Sequence, residues 1–413
     1  MYVKRHIENT IKKVSGMYPA VIVTGPRQVG KTTVLRKVCA DLKYVTLDDP
    51  EILEYAKKEG GLFCRTYSPP VVLDEIQYAP ELFPYIKMIA DETQEKKLFY
   101  MTGSQAFHLM KNVSESLAGR IGIIQMLGLS MREITGRTFD TPFLPVSGYI
   151  GESDKELKEL PQLEVWKIIQ KGSMPRLYHE DMNEDGNGNM WRRFYGDYVR
   201  TYIERDVRAL TQVGDETAFM QFMRLLAAST GQMLNYSRIA KEIGKSVDTI
   251  KNWVSILKAS GIVYLLPPYY NNFNKRIVKT PKIYFMDTGL ASYLTGWYTA
   301  EQLQFGAMSG NLFETFVISE IIKSYYNKGY DDFGFSYYRD KDMNEIDLII
   351  ECNGVLYPIE IKKTGNPDKQ DIKAFAKLEN NGLRAVGEGG LICMADSVRY
   401  LSPKDRVIPL KYI

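Results

Sequence analysis

Along the first 130 residues, short apolar runs alternate with stretches in which apolar residues return at helical spacing. The runs are AVIVTG (20–25), KYVTLD (43–48), PVVLDE (70–75) and KLFYMTGS (97–104). Continuous apolar strands separated by helical segments predict a parallel sheet covered by helices on both faces, an α/β architecture. Ahead of it, MYVKRHIENTIKK predicts a short amphipathic helix. From about 155 to 212 the pattern is helical, with WRRFYGDYVRTYIERDVRAL as its clearest stretch and HEDMNEDGNGN (179–189) as a polar loop. Residues 217–266 read as a compact helical unit ending in a strand, and residues 275–413 return to strands and helices. The pattern changes divide the chain at 1–212, 213–269 and 270–413, a multidomain organisation.

Composition narrows the chemistry. The 53 basic and 50 acidic residues nearly cancel, so a nucleic-acid surface would have to be local. Four scattered cysteines (Cys39, Cys64, Cys352, Cys393) form no CxxC pair, and there are three histidines, which argues against a zinc site. Reduced thiols fit a cytosolic protein. No apolar run reaches the ~18 residues of a membrane span, and the first residues lack the apolar core of a signal peptide.

The strongest chemical signal is Gly25-Pro26-Arg27-Gln28-Val29-Gly30-Lys31-Thr32-Thr33, a full GxxxxGK[ST] match between an apolar strand and a helical segment. The glycines let backbone N–H groups curl around phosphates, and the helix N-terminus adds positive potential. Lys31 is expected to reach the β- and γ-phosphates of ATP, and the Thr32 hydroxyl to ligate Mg2+. Val71-Val72-Leu73-Asp74-Glu75 is a buried strand ending in two carboxylates, with Asp74 placed to hold the metal shell and Glu75 to polarise the attacking water. The strand through Thr102, Gly103 and Ser104 ends in small polar residues. Thr102 or Ser104 would sense the γ-phosphate, or the segment is an ordinary strand-to-helix turn.

GPRQVGKTT, VVLDEIQ, MTGSQ and LAGRI, in this order and spacing, resemble prokaryotic AAA-type ATPases. More narrowly, they resemble the subgroup whose C-terminal half is a domain of unknown function with a restriction-endonuclease-like core. The resemblance spans essentially the whole chain. It implies an AAA-type core with a helical lid, Ser104 near the sensor position, and Arg120 as an arginine finger supplied to a neighbour in a homo-oligomer. The other reading of Arg120 is a structural ion pair.

Residues 217–266 contain a short helix closed by Gly244 and a second helix capped by Ser246, with an apolar stripe of Val247, Ile250, Trp253, Val254 and Leu257. Two helices, a tight turn and a following strand look like a winged helix-turn-helix. Its outward face would carry Lys245, Asp248, Thr249, Lys251, Asn252 and Ser255. That face suits a DNA major groove but is weakly basic, so the unit reads either as a DNA reader or as a packing module.

Asn353-Gly354 between two β-rich runs predicts a two-residue type I′ hairpin. Pairing outward from it sets Cys352 against Val355, Ile350 against Tyr357, Asp347 against Glu360 and Glu345 against Lys362. Two directly opposed carboxylates repel, so a metal ion or nearby cations must compensate. Lys362 shares the Glu360 face, and an acidic pair on a divalent cation beside a lysine activates water against a phosphodiester. This D…ExK spacing resembles the restriction-endonuclease-like superfamily. By the same resemblance, Glu314, on a segment expected to be an amphipathic helix, joins Asp347 and Glu360 as a metal ligand. The alternative is a nuclease fold that no longer cuts.

The sequence therefore predicts an ATPase that uses Mg2+-ATP to act on DNA through a winged helix and a nuclease-like domain. The competing expectation is a nucleotide switch for a protein partner, with an inactive nuclease-like half. Neither involves a membrane.

Overall fold

β1 (Ala20–Thr24) is buried at every residue, and its side chains alternate between two cores. Val21 and Val23 join one, Ala20 and Ile22 the other, as a strand covered on both faces requires. The computed structural model describes residues 2–104, 116–157, 160–179, 182, 189–203, 216–269, 280–331, 333–379 and 384–413.

All four expected strands form: β1, β2 (Lys43–Thr46), β3 (Val71–Asp74) and β4 (Phe99–Gly103). They run parallel in the order β2-β3-β4-β1-β5. The fifth strand, β5 (Ile121–Gln125), lies at an edge and was not among the expected ones. Gly122 and Ile124 are its buried residues. The N-terminal segment forms the expected helix, Ile7–Ser15, with Ile7 and Ile11 in the core.

The middle region holds helices Glu216–Ala228, Tyr236–Ile243 and Val247–Ala259. The caps are those the sequence suggested. Gly244 closes one helix at φ 70°, and the Ser246 side chain accepts a hydrogen bond from Thr249 N at the start of the next. A three-stranded antiparallel sheet, β6 (Gln232–Met233), β8 (Lys282–Phe285) and β7 (Val263–Leu266), stands in the order β6-β8-β7.

The domain divisions expected at 212 and 270 fall outside the described residues, and packing crosses both. β8 lies beyond 270 yet pairs with β7 before it. Helix Gln162–Lys171, assigned above to a lid on the first domain, packs against helices Thr288–Thr295 and Ala300–Phe305. Local pattern cannot report such pairings, because they join residues from about twenty to more than a hundred positions apart.

The C-terminal region is a mixed sheet, β14-β15-β13-β11-β10-β9, with β12 (Ala385–Val386) beside β11. Its strands are β9 (Gly334–Arg339), β10 (Glu345–Cys352), β11 (Val355–Ile361), β13 (Gly390–Cys393), β14 (Arg399–Tyr400) and β15 (Arg406–Pro409). β9, β10 and β11 are an antiparallel meander, and β13 runs parallel to β11. The hairpin register follows expectation from Cys352↔Val355 through Ile350↔Tyr357 to Leu348↔Ile359, and the paired residues end one position short of Asp347 and Glu360. Asn353 and Gly354 both have positive φ, at 51° and 77°, as a type I′ turn demands. Helix Ser309–Tyr326 differs from expectation: it is buried on nearly every side rather than amphipathic. Its far end meets the first domain, where Met131 N donates to Glu320 Oε2 at 2.6 Å and Lys323 Nζ donates to Leu129 O at 3.0 Å.

Candidate active site and acidic cleft

The phosphate loop needs glycine for reasons of space as well as conformation. Gly25 has φ 136°, and a Cβ there would lie 2.0 Å from Met126 O. Gly30 begins helix Lys31–Val38 at φ 94°. Lys31 is buried and donates from Nζ to Gly25 O at 3.0 Å and Pro26 O at 2.8 Å, so the ammonium already lies inside the loop. Beneath the loop, the buried Arg5 donates to Val29 O at 2.9 Å and to Leu127 O at 2.8 Å, and pairs with Glu133 Oε1 at 3.1 Å.

The tip of β3 converges on the loop. The Thr32 hydroxyl donates to Asp74 Oδ1 at 2.8 Å, Thr102 Oγ1 donates to the same oxygen at 2.5 Å, and Tyr44 OH donates to Asp74 Oδ2 at 2.7 Å. Three donors from three elements fix this carboxylate. Glu75 sits in a left-handed conformation, φ 58°. Its N–H donates to Thr102 Oγ1 at 2.9 Å, and its Oε2 accepts from Ser104 Oγ at 3.2 Å and from Gln77 Nε2. The two sensor candidates thus separate. Thr102 is fully buried and positions the acidic pair, whereas Ser104 faces the cavity.

That cavity, about 940 Å³, is lined by Arg27, Gln28, Gly30, Lys31, Thr32 and Thr33 of the loop together with Glu75 and Ser104. Its far wall comes from later in the first division, Arg176, His179, Phe194 and Tyr198. The Phe194 and Tyr198 rings stack with centroids 6.2 Å apart. Sequence reading missed these residues and Tyr44, because they carry no motif and reach the site only through packing. Val29 lies buried behind the loop and Pro26 beside Gly261. Arg120 lies away from the cavity. It precedes β5 at the opposite end of the sheet and forms a two-pronged ion pair with Asp91, the structural alternative raised for it.

A second constellation lies between the middle and C-terminal regions. Asp347 is buried on β10, and its Oδ2 accepts from Ile361 N at 2.9 Å. Glu360 is buried on β11 and accepts from Lys362 Nζ at 2.5 Å, while its Oε2 has no partner among the described atoms. Glu314 of the buried helix faces the same cleft. The expected opposition of Glu345 and Lys362 is not a pairing: Glu345 instead bonds Arg339 at 3.2 Å and Lys282 at 2.5 Å. Lys282, from β8, is the compensating cation that sequence reading missed. Its Nζ also lies 3.0 Å from Glu314 Oε1 and 3.5 Å from Asp347 Oδ1, and Tyr284 OH donates to Glu314 Oε1 at 2.6 Å. Among the described residues no group of three or more His, Cys, Asp or Glu side chains is arranged to hold a metal ion. The donors expected to ligate a divalent cation are gathered around an ammonium.

Desolvation and the Asp347 charge push the Glu314 carboxyl up to about 7, against the pull of Lys282. Desolvation and Asp347 push Glu360 up to about 9, against Lys362. Burial alone would lower Lys282, but the carboxylates around it hold its ammonium well above the ordinary range.

The outer face of helix Val247–Ala259 exposes Asp248, Lys251, Asn252, Ser255 and Lys258. Lys251 pairs with Asp248 at 3.5 Å, so the face is weakly basic, as expected. Ser255 and Lys258 line a groove against Thr24, Gly25 and β5. Among the described residues, no helix is long and apolar enough to cross a membrane.

A family model described as "AAA domain" matches residues 17–135. Two models for domains of unknown function, DUF8612 and DUF4143, match residues 162–301 and 309–413. An uncharacterized protein of Mycobacterium tuberculosis, Rv2008c, is 27% identical over 351 residues, covering 84% of this chain and 71% of its own length. An uncharacterized protein of Methanocaldococcus jannaschii, MJ1637, is 24% identical over 358 residues, 79% of this chain and 72% of its own length. A solved structure, the Walker-type ATPase of Pyrococcus abyssi, is 15% identical, covers 70% of this chain and 94% of its own, and superposes at a TM-score of 0.39. At that TM-score the assignment rests on the sheet order, the phosphate loop and the AAA match. Together these make the N-terminal third of the chain an AAA-type P-loop ATPase domain.

Proposed function

We propose that the chain hydrolyses Mg2+-ATP and couples that cycle to DNA, through a winged helix-turn-helix in 213–269 and a restriction-endonuclease-like C-terminal domain. The observation that carries the ATPase reading is the convergence of Lys31, Thr32, Glu75 and Ser104 on one cavity of about 940 Å³, with Asp74 bonded to Thr32 behind it. In this reading Lys31 holds the β- and γ-phosphates, Thr32 and Asp74 hold the metal, Glu75 orients the attacking water and Ser104 contacts the γ-phosphate. The 2.8 Å Thr32–Asp74 contact fits a hydroxyl and a carboxylate sharing one cation, and Mg2+ there neutralises charge on the phosphates. Arg176 adds a positive group from the far wall of the cavity. Helices Tyr236–Ile243 and Val247–Ala259 followed by β7 support the winged helix, and the D…ExK hairpin behind a buried helix supports the nuclease-like core.

The test is one preparation assayed for ATP turnover and plasmid integrity, with Mg2+ or Mn2+ and with or without DNA. Lys31→Ala is expected to lose nucleotide binding, and Asp347→Ala to keep ATP turnover while losing any cleavage. DNA that neither binds nor alters turnover would leave the second reading, a nucleotide switch for a protein partner with an inactive nuclease-like half. The Lys282 ammonium in the acidic cleft favours that second reading. A homo-oligomer with Arg120 as its finger predicts that Arg120→Ala lowers turnover while Asp91→Ala does not. Equal effects of the two would assign the pair a structural role.

A further inference from the structure

Lys282 enters the acidic cleft from another part of the chain. Its strand, β8, belongs to the sheet shared with β6 and β7, whereas the carboxylates lie on helix Ser309–Tyr326, β10 and β11. Along β8, Lys282 and Tyr284 point into the cleft, and both contact Glu314 Oε1. The Lys282 side chain is 3% exposed, so solvent does not screen its charge. β8 is held at its other end as well. Asp287 accepts from Ser173 N at 2.8 Å and from Tyr195 OH at 2.7 Å, and Ser173 lies two residues before Pro175 in the nucleotide cavity wall.

The ammonium stands 2.5, 3.0 and 3.5 Å from oxygens of three different carboxylates. A divalent cation such as Mg2+ needs such oxygens at about 2.0–2.1 Å around one centre. Ammonium and metal therefore compete for the same place. The partnerless, buried Glu360 Oε2 shows that the cleft retains acceptor capacity beyond what its lysines and arginine use.

We propose that Lys282 is a built-in substitute for a divalent cation, keeping the C-terminal acidic cleft closed to metal while β8 is in place. The consequence for cleavage rests on the nuclease-like reading above; the masking of the cation site does not. With Lys282 removed, Glu314, Glu345, Asp347 and Glu360 face one another, offset among the described residues by Arg339 and Lys362, and a metal ion becomes the natural counter-charge.

The test counts Mn2+ bound to the full nucleotide-free chain by electron paramagnetic resonance, with melting temperature recorded alongside. Wild type and Asp347→Asn are expected to bind equal numbers of Mn2+. Lys282→Gln is expected to bind one more than Lys282→Gln/Asp347→Asn, and Mn2+ is expected to raise its melting temperature. A wild-type site that Asp347→Asn removes would overturn the proposal, as would a folded Lys282→Gln chain that gains none. If Lys282→Gln does not fold, the wild-type and Asp347→Asn comparison decides. A Lys282→Gln chain that gains the site yet leaves plasmid intact with Mn2+ would sink the nuclease reading and leave the masking in place.

Discussion

Replacing Thr102 by valine removes one hydroxyl and keeps the shape of the side chain. That hydroxyl donates to Asp74 Oδ1 at 2.5 Å and accepts from Glu75 N at 2.9 Å, in a position with no solvent access. The first bond runs to a carboxylate and is worth about 1.5–3 kcal/mol. The second leaves a buried N–H unpaired, about 1–3 kcal/mol more against the folded tip. If only the first loss reaches the transition state, turnover falls about 10- to 150-fold, at about 1.36 kcal/mol per decade. Thr102→Ser keeps the hydroxyl and is expected to stay close to wild type. The assay is steady-state ATP hydrolysis of the three proteins at saturating ATP, with nucleotide affinity measured separately. Thr102→Val turning over within twofold of wild type would refute the claim that this buried hydroxyl sets the acidic pair.

Gly25→Ala forces a Cβ to within 2.0 Å of Met126 O at φ 136°, and loss of binding of a fluorescent ATP analogue is expected; wild-type affinity would contradict it. Arg5→Met strips the charge from a buried pair and leaves Glu133 uncompensated, at a cost of about 3–5 kcal/mol, so the melting temperature should drop while the C-terminal sheet stays folded by circular dichroism. Glu314 and Glu360 titrate near 7 and 9 instead of 4.5, so each binds its proton more tightly in the folded state. Stability from that proton is complete below about pH 4.5 and declines as pH rises towards the folded value. Melting curves against pH should therefore lose part of their decline between about 4.5 and 7 in Glu314→Gln, and between about 4.5 and 9 in Glu360→Gln. Parallel curves for variant and wild type would contradict the assigned shifts.

The sequence by itself determined whatever depends on near neighbours. The phosphate loop, β1 to β4, the Gly244 and Ser246 caps and the register of the Asn353-Gly354 hairpin all follow from residues within a few positions of one another. There, backbone conformation and side-chain alternation are set locally. β5 was not read although Ile121-Gly122-Ile123-Ile124 is an apolar run, because no turn or motif singled it out. The burial of helix Ser309–Tyr326, the cavity wall of Arg176, Phe194 and Tyr198, the Tyr44 bond to Asp74 and the placing of Lys282 among three carboxylates were decided only in the tertiary structure. Each joins elements that lie tens to hundreds of residues apart, through contacts whose partners leave no spacing in the text. The opposed carboxylates did announce that a positive charge was needed. Which cation supplied it depended on how one sheet packs against another, and the chain brought its own lysine.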